Sequence, residues 1–79
     1  MKINYMQSAI NDIFDATHYS GKWAKITCTD ERVLFVRGDC FSYVDYPDEE
    51  DVEALLCDVK DGESEMFTDR MIKTVELPA

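Results

Sequence analysis

The run VLFVRGDCFSYVDY, residues 33–46, decides the fold. It is rich in β-branched and aromatic residues, as strands are. It is also longer than an ordinary strand of about 5–6 residues. Gly38 sits inside it, and a glycine within a strand marks a bulge or sharp bend. Such a bend lets one long strand serve two sides of a small barrel. Upstream, Lys22–Thr29 (KWAKITCT) alternates: Ala24, Ile26 and Cys28 fall on one face, Trp23, Lys25, Thr27 and Thr29 on the other. Period two is the pattern of a half-buried strand. Asp30-Glu31-Arg32 is the polar turn between the two.

Downstream, Pro47 opens a charged loop, PDEEDVE (47–53), and ALLCDVK (54–60) reads as a third strand with Leu55, Cys57 and Val59 inward. Asp61-Gly62 is a hairpin turn signal. Residues 65–68 form a short fourth strand, Asp69–Met71 a brief turn, and Ile72–Leu77 a last strand stopped by Pro78. At the other end, Ile3, Met6, Ile10, Ile13 and Phe14 recur at helical steps, so residues 3–16 are expected to form one amphipathic helix broken by Gly21. The expected fold is mainly β in a single domain, 1–79. An N-terminal α-helix precedes a five-stranded, strongly bent antiparallel small barrel of the Sm or SH3 type over residues 22–77. Closure would reduce exposed strand edges, with the helix capping an open end.

The chain has 79 residues and a formal charge of −9, with 46% hydrophobic residues. That suits one small domain and is too apolar for a disordered acidic tail. No apolar run is long enough to span a membrane. The start lacks a basic region followed by an apolar stretch, so no secretory leader is expected. Cys28, Cys40 and Cys57 are odd in number and match no CxxC spacing. They are expected to be small buried hydrophobes in a reducing cytoplasm.

The excess charge lies in one place. Residues 48–69 hold ten acids against Lys60 alone. Such a field repels phosphates and attracts basic surfaces. Two roles are open to it: a solvated loop that keeps the protein soluble, or a docking surface for a basic protein. The partner-binding candidates are Asp48, Glu49, Glu50, Asp51, Glu53, Asp58, Asp61, Glu63 and Glu65. Trp23 joins them as a possible exposed anchor, since tryptophan is a frequent interface hot spot. Phe35, Phe41 and Phe67 are assigned to barrel packing, and Tyr43 and Tyr46 to outer faces.

Catalytic chemistry has little to draw on. His18 is the one histidine, at a helix end where the dipole favours it. The acid run 48–51 lacks the spaced oxygens and the glycine of a calcium loop. Three glycines form no phosphate loop. No enzyme activity, metal or cofactor is expected.

The sequence resembles the Sm-like (LSm) small barrels, especially compact versions from Gram-positive bacteria and their phages. Gly21–Ile26 matches the first strand, Phe35 through Gly38 to Tyr43 the bent second strand, and Tyr46–Glu50 the following loop. Asp69–Leu77 matches the closing turn and last strand. The resemblance implies an N-terminal helix with five bent strands. Many members form rings through the edges of strands four and five and bind RNA in the pore. Departures fall where the family reads RNA. Phe41–Asp45 lacks the Asp-x-x-x-Asn pattern, Asp69-Arg70 replaces Arg-Gly, and Asp30-Glu31 replaces Asp-Gly.

Three functions follow as expectations. The first is a non-enzymatic acidic protein that docks on a basic protein surface. Its special case is a nucleic-acid mimic, similar in size and charge to phage inhibitors of restriction or CRISPR effectors. The second is an Sm-like RNA-binding or scaffolding ring using Lys22, Lys25, Arg32, Arg37, Arg70 or Lys73. The third is a regulatory subunit that adds a strand to a partner through residues 65–68 or 73–77.

Overall fold

A computed structural model of the chain describes the backbone of residues 2–4, and residues 8–47 and 51–78 in full. The elements are β1 (Lys2–Asn4), α1 (Ala9–Thr17), β2 (Ala24–Cys28), β3 (Val33–Val44), β4 (Val52–Val59), β5 (Glu65–Phe67), a 3₁₀ turn (Asp69–Met71) and β6 (Ile72–Glu76). The six strands form one antiparallel sheet in the order β1-β6-β2-β3-β4-β5.

The mainly β reading is as expected, and the long strand is irregular at Gly38. The register of β3 against β4 shifts between Gly38 and Cys40, so Asp39 is an extra residue there. This is the β-bulge that Gly38 signals. The helix is shorter than the predicted 3–16. Residues 2–4 form a strand instead, with Ile3 opposite Val75, and residues 5–7, Met6 included, lie outside the described residues. An apolar residue near a chain start suits a helix face or a strand equally. Here the edge of β6 provides the backbone partners.

Barrel closure is not observed. The described ladder ends at β1 on one side and β5 on the other. The reason is simple: β6 is hydrogen-bonded to β1 along one edge and β2 along the other, so it has no edge left for β5. No helix is long and apolar enough to cross a membrane, among the described residues.

Helix α1 buries Ala9, Ile10, Ile13 and Thr17. They meet Ala24, Ile26 and Cys28 of β2, Val36 of β3, Leu55 and Cys57 of β4, Phe67 of β5, and Ile72 and Val75 of β6. The helix stops where Gly21 adopts a left-handed φ of 69° and its N–H donates to the Thr17 carbonyl at 3.1 Å, a common helix ending. Its start is held from elsewhere. Ser8 occupies the N-cap but makes no side-chain cap bond. The Ile10 N–H donates instead to Asp69 Oδ1, 3.0 Å away on the 3₁₀ turn. A distant carboxylate thus satisfies one of the donors that a helix start leaves unpaired.

At the bulge, helix and sheet approach closely. The Gly38 N–H donates to Thr17 Oγ1 (2.8 Å), whose hydroxyl donates to the Ile13 carbonyl. The Gly38 carbonyl accepts from His18 Nδ1 at 3.0 Å. Both polar groups of one backbone residue are therefore met by helix side chains. A side chain on Gly38 would crowd this contact: its Cβ would lie 3.0 Å from Phe14 Cα.

Two packing expectations fail at the same strand. Cys40 is exposed rather than buried. The extra residue Asp39 shifts the alternation, so Cys40 leaves the helix-facing side and Phe41 joins it opposite buried Leu55. Before the bulge, Val36 opposite Ala24 is buried, which sends its neighbour Phe35 to the outer face, 44% exposed. Phe41 lies beyond the helix end and stays partly exposed, while Phe67 is buried as expected.

Candidate protein-binding surface

The described acidic residues of the 48–69 segment do not gather into one patch. Asp51 and Glu53 are exposed at the β3–β4 end of the sheet, and Asp61 and Glu63 are exposed in the turn after β4. From Glu53 the strand β4 runs six further residues to Val59 before the turn that carries Asp61 and Glu63, a span of about 20 Å at ~3.3 Å per residue. Asp48, Glu49 and Glu50 lie outside the described residues.

Two candidates are consumed internally. Asp58 pairs with Arg37 (Nη2 to Oδ2, 3.0 Å) and accepts from Ser64 Oγ at 3.2 Å. Glu65 accepts from both terminal nitrogens of Arg32, Nη2 at 3.1 Å and Nη1 at 3.3 Å. Trp23 is half-buried, with the Arg37 guanidinium 5.2 Å from its ring centre. It braces an internal ion pair rather than standing free.

The cations the RNA reading relies on are largely engaged. Arg32 also holds Asp30 at 2.9 Å. Hydrogen bonding from the Arg32 backbone N–H, reinforced by its side chain, lowers the Asp30 pKa; Glu65 and then Asp30 hold Arg32 still more firmly charged. Lys73 pairs with Glu31 at 3.0 Å, and Arg70 sits 5.0 Å from the Tyr46 ring centre. Asp51, Glu53, Asp61 and Glu63 make no ion pair among the described residues.

The β3–β4 end carries a second feature that the sequence reading reached only in part. Phe14, His18, Tyr19 and Phe41 form a chain of rings: Phe14 stacks on His18 (4.4 Å between centres) and meets Phe41 at 4.8 Å, and Tyr19 stands edge-on to His18 at 4.7 Å. Two residues beyond Phe41, Tyr43 shares its face and lies directly across from Glu53. Tyr19 is 84% and Tyr43 65% exposed. Tyr43 was legible as an outer aromatic. Tyr19 was not singled out, although its place just before the helix-breaking Gly21 was a usable signal. The result is an aromatic strip ending beside carboxylates.

His18 Nδ1 donates to a backbone carbonyl, and burial raises the Cys28 thiol pKa and pushes that of Cys57 up to about 12, far from a reactive thiolate. Among the described residues no three His, Cys, Asp or Glu side chains are grouped to hold a metal ion. Comparison with protein-family models, curated protein sequences and solved structures finds no match to this chain.

Proposed function

We propose that this is a non-enzymatic acidic binding protein that docks on a basic surface of another protein through its β3–β4 end. The observation that carries the reading is the cross-strand pair of exposed Tyr43 and Glu53, on the same face as Phe41, whose ring meets Phe14 and through it His18 and Tyr19. Tyrosine faces attract arginine and lysine, and an adjacent free carboxylate adds a charge-assisted hydrogen bond. Among the described residues, Arg32, Arg37 and Lys73 are paired with the chain's own acids, and Lys60 and Arg70 lie near its own rings, so much of the surplus negative charge is left for a partner. Where that partner normally holds DNA or RNA, the same docking competes with nucleic acid, which makes the protein a mimic of the inhibitory kind.

The alternative is an Sm-like RNA-binding or scaffolding ring, which the element order of helix, bulged strand and closing turn suits. A ring built through the last strand is less well supported, because β1 occupies that edge of β6. The same holds for strand addition at residues 73–77.

The test is capture from native cytoplasm by the wild-type chain and by a triple variant, Asp51→Lys, Glu53→Lys and Tyr43→Ala. The expected partner is a basic protein, released by salt but not by nuclease, and lost with the variant. Equal capture by the variant would sink the docking surface. A gel shift with single-stranded RNA at low salt would favour the RNA-binding alternative.

A further inference from the structure

β3 outruns β4. Their pairing stops at Val36 opposite Val59, and past it one bond remains, from the Lys60 N–H to the Phe35 carbonyl at 2.9 Å. From there residues 60–64 leave the strand direction, with Gly62 turning back onto the Val59 carbonyl at 3.2 Å. The divergence opens a cleft of about 300 Å³ between Val33, Phe35 and the turn bearing Lys60, Asp61 and Glu63. Its floor is apolar and accessible, with Val33 52% and Phe35 44% exposed.

We infer that this cleft is a second docking site, which takes one arginine side chain of a partner protein. Three observations select that occupant. The floor is a flat ring next to a β-branched side chain, which suits the aliphatic stem and planar head of arginine. A cation is already accommodated over it: Lys60 Nζ lies 5.9 Å from the Phe35 ring centre. The rim charge is complementary. Glu65 is taken by Arg32, which leaves Asp61 and Glu63 to meet the guanidinium. Lys60 holds the place that the partner's arginine takes, and swings to solvent when it arrives. The site is independent of the β3–β4 end, with β4 between them.

The experiment is an NMR titration of the intact ¹⁵N-labelled chain with the tripeptide acetyl-Gly-Arg-Gly-amide. The control is the citrulline analogue, equal in shape and uncharged. The arginine peptide should move the amides of Val33, Phe35, Asp61, Gly62 and Glu63 and saturate with a Kd of about 1 mM, a reasonable strength for one anchored side chain. Asp61→Asn with Glu63→Gln removes both rim carboxylates and should weaken it by about tenfold or more, while the rest of the spectrum stays folded. Lys60→Gln should tighten it. The triple variant at the β3–β4 end should bind the peptide unchanged, so that failure here and failure of the proposed docking surface read separately. Equal shifts from citrulline, shifts spread over the whole surface, or loss of binding in the triple variant would overturn the assignment.

Discussion

Replacing Gly38 by alanine tests whether the bulge exists to bring α1 down onto the sheet. A Cβ there would lie 3.0 Å from Phe14 Cα, 3.2 Å from Leu55 Cδ2 and 3.3 Å from Phe14 Cδ2. Ordinary carbon contacts lie at about 3.5–4.0 Å, so the nearest falls short by roughly 0.5–1 Å. The nearest atom is helix backbone, which no rotamer change moves. The helix must lift, and as it lifts it stretches the Thr17 and His18 bonds to Gly38. Overpacking of this kind costs about 1–3 kcal/mol. Against it stands the lower entropy of an unfolded alanine chain, worth about 0.4–1 kcal/mol. Taken at the middle of both ranges, the net loss is about 1–2 kcal/mol. With a urea m-value near 1 kcal/mol/M for so small a domain, the unfolding midpoint should fall by about 1–2 M. Gly62→Ala is the control, because its Cβ would meet Val59 Cγ1 at 3.6 Å, an ordinary contact, and its midpoint should hold or rise. If Gly38→Ala behaves like Gly62→Ala, the close helix approach is not a constraint and the account of the bulge is wrong.

Thr17→Val keeps the shape but leaves the Gly38 N–H unmet in a buried place, and should cost about 1–3 kcal/mol; Thr17→Ser, which keeps the hydroxyl, should recover most of it in the same urea experiment. Asp69→Ala removes the acceptor at the helix start and should destabilise by about 0.5–2 kcal/mol, with faster amide exchange at Ile10 as the local readout. Only Cys40 should react quickly with an aromatic disulfide reagent at pH 8, since Cys28 and Cys57 are buried. Burial raises the Cys57 pKa to about 12 in the folded chain, so above about pH 9 the unfolded state loses that proton first and stability should fall as pH rises; Cys57→Ala should flatten this alkaline limb. Deleting residues 1–7 uncovers an edge of β6 and should give concentration-dependent association by light scattering; a strictly monomeric product would show that β1 is not what keeps that edge closed.

The parts of the fold that were legible share one property: their signal is local. The alternation of Ala24, Ile26 and Cys28, the bulge at Gly38, the turn at Asp61-Gly62 and the break at Gly21 all depend on a few adjacent residues. What was missed depends on distant partners. Nothing near Ile3 says that β6 will offer it an edge, and nothing near Ser8 says that Asp69 will cap its helix. Cys40 shows a subtler failure. One extra residue at Asp39 reverses which side chains face the helix, so the apolar stretch around the cysteine, which is what suggests its burial, does not fix the side on which it lies. The candidate site suffered in the same way. Counting charges along 48–69 treated neighbours in sequence as neighbours in space, yet Asp58 and Glu65 meet Arg37 and Arg32 from β3 and the turn before it.

The separation of the remaining acids constrains any mimicry. Two groups of carboxylates about 20 Å apart along a strand lie well beyond the screening distance of about 8 Å at physiological ionic strength. Neither end sets the potential at the other. A partner that touches one end meets a small aromatic or apolar site with a few charges, rather than a continuous phosphate-like rail. A partner that engages both must present basic groups at a matching span, and linking the two contacts then multiplies their affinities through effective concentration. Reversing charge at one end should therefore lower the salt dependence of binding to a spanning partner by part of its value, and leave it unchanged for a partner seated on the other end.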